Sequence, residues 1–336
     1  MIRAAVIGVG TMGRHHARVY REMSGVELVA VADPSPDVSA PVASRLGCKS
    51  YADHRELLER ERPDAVSIAV PTQGHLQVAC DALAAGCHVL VEKPIAATID
   101  DAKEIVSTAA AAGRVLAVGH IERFNPSVME LKRRLSDGQA GRVLQCHARR
   151  LGPFPPRIRD VGVVLDLATH DIDVMRYLTG RQAVRVYAET RSEINTANED
   201  MLSGLIRFDD GIVGVLEINW LTPTKVRVLT VTGERGMFRA DYLTQDLFFY
   251  ENAESRAGGW EELAVLRGVT EGPVVKHAVE NREPLRNELE AFVAAINGEG
   301  SKIVTGEDGL EALRLALALI QSGQRNEAVS LDQERR

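Results

Sequence analysis

The sequence predicts a two-domain protein: an α/β N-terminal half with a parallel sheet covered by helices on both faces, and a C-terminal half of α+β type built around a long sheet. Three observations lead there. Before residue 120, apolar runs of four to six residues alternate with amphipathic helical stretches, the pattern of a parallel sheet buried on both sides. Beyond the stretch 153–178 the apolar period changes to two, the mark of strands with one buried face. A chain of 336 residues also exceeds what one core normally organises. We expect domains at 1–120 and 121–336, with the final helix packing back on the first.

The elements of the first half follow in order. Ala4–Val9 reads as a strand, followed by a glycine-rich turn and a helix to about Arg21. Next come a strand at Glu27–Ala32, a helix near Pro41–Leu46, a short strand at Lys49–Tyr51 and a helix from Asp53. The strands Ala65–Val70, His88–Val91 and Val115–Val118 then alternate with the helices His75–Ala85 and Thr98–Ala112. In the second half, Gly119–Leu135 is a loop to Pro126 and then a helix. Val184–Thr190, Asp200–Phe208, Ile212–Trp220, Val226–Thr232 and Gly236–Tyr242 read as strands, with Asp209-Asp210-Gly211 as a hairpin turn. Glu283–Ile296 and Glu307–Gly323 are amphipathic helices.

Composition excludes several classes. Apolar residues make up 45% and charged residues 26% of the chain, a soluble globular balance. A formal net charge of −7 argues against nucleic acid as a partner. No apolar run approaches the ~18 residues of a membrane span, and the chain enters a strand at once, without the order of a signal peptide. The four cysteines, Cys48, Cys80, Cys87 and Cys146, lack metal-ligand spacing. The expectation is a cytoplasmic protein with reduced thiols and no metal.

The turn after the first strand reads Gly8-Val9-Gly10-Thr11-Met12-Gly13. Gly8 suits a tight turn, Gly10 admits a pyrophosphate to the backbone, and Gly13 lets the helix pack on the strand, with the phosphates at the helix's positive end. Thr11 and Met12 lie within the same turn. The second strand ends in Asp33, ~20 residues beyond the last glycine, where an acid holds the adenosine ribose hydroxyls. A carboxylate there repels a 2′-phosphate, so NAD is expected rather than NADP. Ligands of such sheets bind beyond the carboxyl ends of the strands. That adds Pro71, Thr72 and the following His75, together with Glu92 and Lys93, to the expected cofactor contacts. Lys93, between an acid and Pro94, is placed to donate to a substrate hydroxyl. Arg123 and Asn125, just past the last strand of the first domain, are expected either to contact substrate or, equally, to be structural.

The stretch from Pro153 to Leu178 carries the other half of the chemistry. At 100° per residue, Val164, Ala168, Ile172 and Met175 form an apolar stripe, while Asp166, His170, Asp173 and Tyr177 share an opposite arc. Asp166 and His170, four apart, can touch, and the carboxylate raises the basicity of the imidazole. Asp171 falls toward the apolar side and needs a partner.

Gly8–Gly13, Glu92-Lys93-Pro94 and Asp166-Leu167-Ala168-Thr169-His170, in this order and at these separations, resemble the glucose–fructose oxidoreductase/inositol dehydrogenase (Gfo/Idh/MocA) family over essentially the whole chain. The resemblance implies an NAD(P)-dependent oxidoreductase with a Rossmann domain followed by a domain bearing a large, open, mainly antiparallel sheet. It implies that Lys93 and His170 are catalytic, that Asp166 is the acid upstream of the histidine, and that the sheet pairs subunits into a homodimer or homotetramer. The run from Gly152, with the earlier GHIERFNP, is similar to the UDP-N-acetylglucosamine 3-dehydrogenase branch. Many family members carry a Gly-Gly pair and a later Gly before the histidine; this chain has Asp160-Val161-Gly162 and Ala168-Thr169, a departure from the sugar and inositol branches. Arg157 and Arg159 match the phosphate oxygens of a nucleotide-sugar substrate by guanidinium geometry. Two other functions stay open: a dehydrogenase of a free sugar or inositol, and a non-catalytic NAD-binding regulator.

Overall fold

The protein is described by a computed structural model covering residues 1–155, 161–194, 197–253, 271–300 and 302–331. It divides into two compact units, Met1–Phe124 with Arg282–Arg314 and Asn125–Asn281 with Leu315–Arg336.

The first unit is a six-stranded parallel sheet in the order β3-β2-β1-β4-β5-β6. Its strands are β1 (Ile2–Ile7), β2 (Val26–Ala32), β3 (Lys49–Tyr51), β4 (Ala65–Ile68), β5 (His88–Glu92) and β6 (Leu116–Gly119). Helices α1 (Gly13–Glu22), α2 (Pro36–Leu46), α3 (His54–Glu61), α4 (His75–Ala84) and α5 (Ile99–Ala112) connect them. The winding reverses between β1 and β4, which pair directly, and the crevice at such a reversal is where doubly wound sheets bind ligands. Ala4, Val6, Val66, Ile68, Val89 and Val91 are fully buried, as the apolar strand runs require. Helix ends follow local chemistry. Asp53 accepts from the Arg55 and Glu56 amides at the start of α3, and Thr98 caps α5. Helix α2 starts earlier than expected: Pro36 takes its opening turn and Pro41 lies within it. Helix α8 (Pro284–Ile296) adds Leu285, Leu289 and Phe292 to the core formed by Val19 and Tyr20 of α1 and Met23 just after it. A backbone bridge joins Thr305 to Ala117 on β6.

The second unit is a nine-stranded sheet ordered β14-β13-β12-β11-β7-β10-β9-β8-β15. The strands are β7 (Val143–Pro153), β8 (Ala183–Arg191), β9 (Met201–Phe208), β10 (Val213–Asn219), β11 (Leu221–Gly233), β12 (Gly236–Asp241), β13 (Asp246–Asn252), β14 (Glu271–His277) and β15 (Val329–Ser330). Only β10 and β7 pair in parallel, so the sheet is mainly antiparallel. The Asp209-Asp210-Gly211 hairpin forms, with Gly211 at φ 97°. Helices α6 (Pro126–Ser136), α7 (Thr169–Thr179) and the later part of α9 (Gly306–Arg325) cover one face. On the other face Tyr187, Leu205, Val215 and His147 stand in one cross-strand row, all partly or largely exposed.

Strand β7 escapes a search for alternation because Arg149 and Arg150 are adjacent and the second is buried. Strand β13 escapes it because Leu247-Phe248-Phe249-Tyr250 is apolar throughout.

Candidate active site

In the first unit, β1 hands the chain to the glycine turn. The Gly8 amide donates to the Ala32 carbonyl at 2.7 Å, and Gly8 holds φ 81°, which L-residues rarely adopt. A Cβ there would lie 2.7 Å from the Ala69 carbonyl, and one on Gly13 would lie 1.8 Å from the Gly8 oxygen. Only glycine lets the turn pack so tightly. Gly10 is the contrast: nothing lies within 4 Å of where its Cβ would be. The turn is therefore tight against the protein at Gly8 and Gly13 and open at Gly10, the side from which a pyrophosphate would approach. Thr11 is exposed and Met12 half-buried at the start of α1.

Asp33, at the end of β2, turns toward this loop. Its Oδ2 accepts from the Val9 amide at 3.1 Å and its Oδ1 from the Ser35 amide at 3.0 Å. Next to the loop a cavity of about 380 Å³ is lined by Val9, Arg14, Val38, Val42 and Arg45, among others. Its size suits a nucleoside, and the open Gly10 and anchored Asp33 suit the rest of a dinucleotide.

Two further strand ends border the same crevice. Pro71 is exposed and Thr72 begins a short 3₁₀ turn, Thr72–Gly74. His75, expected among the cofactor contacts, is buried, with Nδ1 2.9 Å from the Pro94 carbonyl and Nε2 3.0 Å from that of Val70. Its burial lowers the imidazole pKa. A neutral imidazole carries one N–H, so His75 donates to one of these two strand-end carbonyls while its ring lies against the other. Glu92 is buried at the end of β5 and its Oε2 accepts from the Lys93 amide at 3.2 Å. Burial would raise its pKa, but the hydrogen bond from His16, with the charge and the amide of Lys93, outweighs it and brings the carboxyl below its usual range. Lys93 itself is half-buried.

Arg123 and Asn125 have structural partners. Arg123 pairs with Asp308 at 2.9 Å, a contact with a residue 185 positions away that no local pattern foretells. Asn125 is buried and caps α6: its Oδ1 accepts from the Ser127 amide and hydroxyl, while its Nδ2 donates to the Tyr242 carbonyl. The signal for this role was present in Asn125-Pro126, a cap residue followed by proline at the first helical position.

In the second unit, the segment bearing Asp166 and His170 departs from the expected helix. Val164–Ala168 is a π turn, in which the Thr169 amide reaches back to Val164. The 100° spacing behind the predicted polar arc does not hold through it. Glu199 anchors its start: the Val163 amide donates to the Glu199 carbonyl at 2.8 Å and the Val164 amide to its Oε1 at 3.1 Å. Asp166 and His170 are both half-buried, whereas Asp173, expected on the same polar arc, is fully buried. Asp171 finds its partner in Arg150 of β7, a residue the sequence pattern did not single out. Arg157 and Arg159 lie outside the described residues.

Among the described residues no group of three or more histidine, cysteine or acidic side chains could hold a metal ion. No helix there is long and apolar enough to cross a membrane.

Residues 2–120 match the family described as "Oxidoreductase family, NAD-binding Rossmann fold", and residues 128–239 match the "GFO/IDH/MocA C-terminal domain". The chain is 32% identical to the UDP-N-acetylglucosamine 3-dehydrogenase of Acidithiobacillus ferrooxidans, over 94% of this chain and 95% of that protein. A solved structure of that enzyme superposes with a TM-score of 0.86 at 29% identity, covering 96% of this chain and 98% of that one. The myo-inositol 2-dehydrogenase of Thermotoga maritima is 25% identical over 99% of both chains.

Proposed function

We propose, from the premise that this chain belongs to the Gfo/Idh/MocA oxidoreductase family, that it oxidises the 3-hydroxyl of a nucleotide sugar, UDP-N-acetylglucosamine, with NAD as cofactor. The observation that carries the substrate is the 32% identity, over nearly the full length of both chains, to an enzyme of that name. NAD suits the open face at Gly10 and the carboxylate of Asp33, whose repulsion of a 2′-phosphate disfavours NADP.

Bound NAD supplies the hydride-accepting carbon. Gly8, Gly10, Thr11, Met12 and Gly13 would hold the pyrophosphate with backbone amides at the start of α1. Asp33 would accept from the adenosine ribose, and Pro71 and Thr72 would border the nicotinamide end. His170 takes the proton of the sugar 3-hydroxyl as C3 is oxidised, and Lys93 donates a hydrogen bond to the same oxygen. Asp166, upstream of the base, would orient or tune it. Arg157 and Arg159 hold the diphosphate, giving a net-acidic protein local positive charge where a dianionic substrate needs it. The product is a 3-keto nucleotide sugar. The open sheet face, with Tyr187, Leu205 and Val215 in one row, supports pairing of subunits into a homodimer or homotetramer, and the fold and thiol pattern support a cytoplasmic setting.

The position of oxidation is tested by substrate deuterated at C3 of the sugar: deuterium transferred to the reduced cofactor, seen by mass spectrometry, is the expected result. Deuterium retained in the sugar product would move the oxidation to another carbon. A second reading, oxidation of inositol or a free sugar, is favoured by the T. maritima relative and predicts turnover that is indifferent to UDP.

A further inference from the structure

The Glu92 carboxylate ends a hydrogen-bonded chain through the interior of the first unit. His16 on α1 sets Nε2 2.8 Å from Glu92 Oε1 and Nδ1 3.2 Å from Ser67 Oγ on β4. The Tyr20 hydroxyl, one turn further along α1, lies 2.8 Å from the same Ser67 Oγ. His16, Ser67 and Tyr20 are each completely buried. At the far end, Glu92 Oε2 accepts the Lys93 amide. Gly119 packs against the same oxygen: a Cβ there would sit 2.9 Å from Oε2. No motif read from the sequence includes His16, Ser67 or Tyr20.

One donor order satisfies every group. Burial raises the pKa of the Tyr20 phenol, so it keeps its proton, and Ser67 is its hydrogen-bond partner among the described residues. Ser67 therefore accepts from Tyr20 and gives its own hydrogen to His16 Nδ1. That leaves the imidazole proton on Nε2, pointing at Glu92, which is ionised and accepts both it and the Lys93 amide. A buried chain with every member satisfied is rigid, whereas one with a member removed leaves an uncompensated buried charge or donor.

The chain also links places that matter for the reaction. His16 follows the glycine turn by three residues, Ser67 lies on the strand leading to Pro71 and Thr72, and Glu92 adjoins Lys93. We propose that His16 is a positioning residue for Lys93: with Ser67 and Tyr20 it fixes the Glu92 carboxylate, and so locks the strand end that presents the Lys93 amine to the helix that opens at the glycine turn. The inference rests on the role given to Lys93 above.

The test combines two readouts that need no substrate with one that does. Nitrogen-15 NMR of the wild-type protein should show His16 with its proton on Nε2 at neutral pH; a proton on Nδ1 alone, or on both nitrogens, overturns the donor order. Replacing His16 by Leu should speed hydrogen exchange of the Lys93 amide, and His16→Gln, which retains a donor toward Glu92, should restore much of the protection. Misplacing a reacting group by about 1 Å costs on the order of 10²-fold, so kcat of His16→Leu should fall by about 10- to 100-fold. NAD affinity should stay within a few-fold, and His16→Gln should recover most of kcat. Equal losses in the Leu and Gln variants, or a loss confined to NAD binding, overturn the proposal. If Lys93→Ala turns over normally, the reading of Lys93 fails, and that result is separable because the tautomer and exchange measurements do not depend on it.

Discussion

Arg150 and Asp171 form a two-pronged ion pair inside the second unit: Nε lies 2.6 Å from Oδ2 and one terminal nitrogen 3.2 Å from Oδ1, with neither residue more than 3% exposed. The guanidinium also lies over the Tyr242 ring, 5.3 Å from its centre. The pair ties the central strand β7 to α7, one residue past His170. Removing one partner of a buried pair strands the other charge and costs about 3–5 kcal/mol. Asp171→Ala should therefore lower the urea midpoint of unfolding sharply, and the double variant Arg150→Met/Asp171→Leu should lower it less than either single change. A double variant as damaged as the sum of the singles would mean the pair acts by something other than charge compensation.

Glu199 gives a pH signature. Its burial raises the carboxyl pKa and repulsion from Asp200 adds to that, while the backbone amides it accepts from, Val164 included, act the other way and lose. A carboxyl whose folded pKa exceeds its unfolded value contributes stability fully below the ordinary range, near ~4.3, and loses that contribution as pH rises through the folded value. Glu199→Gln keeps an acceptor for the Val164 amide without the charge. Its melting temperature should match wild type in acid and exceed it increasingly above the ordinary carboxylate range. A difference that is flat with pH would contradict the assignment.

Asp33 should set cofactor preference. Its two amide contacts hold the carboxylate at the mouth of the glycine turn. Asp33→Ala removes both the ribose acceptor and the repulsion of a 2′-phosphate, so the ratio of kcat/KM for NAD over NADP should shrink toward one. Wild-type enzyme that uses NADP as well as NAD would refute the role.

His170 and Lys93 separate by kinetics. Loss of a general base costs about 10²–10⁴-fold, so His170→Ala should lose that much kcat with NAD affinity nearly intact. Lys93→Ala should also slow turnover and weaken the substrate complex. Near-normal turnover without His170 would move the base to Lys93.

Which features were legible in the sequence follows from how local their causes are. The glycine turn, Asp33 and the strand–helix alternation are set by residues close in sequence, and the structure has them where the pattern predicts. The β9–β10 hairpin was readable from Asp209-Asp210-Gly211 for the same reason. Arg150–Asp171 and Arg123–Asp308 were not, because each joins residues 21 and 185 positions apart. The π turn at Val164–Ala168 was hidden because Glu199, 35 residues downstream of Val164, anchors its start. His16 sits beside Arg14 and His15 in what reads as a polar stretch, and only folding shows that it is buried against Ser67 and Glu92.

The most direct test is a titration of the purified protein with UDP-N-acetylglucosamine in the presence of NAD, following the absorbance of the reduced nicotinamide. The account predicts saturable reduction with the nucleotide sugar and little with free N-acetylglucosamine or myo-inositol. A charge-assisted bond to phosphate contributes about 1.5–3 kcal/mol, so Arg157→Ala and Arg159→Ala should each raise KM by about 10- to 100-fold with kcat little changed. Turnover of the free sugar or of inositol equal to that of the UDP-sugar, with both arginine variants behaving as wild type, would contradict it.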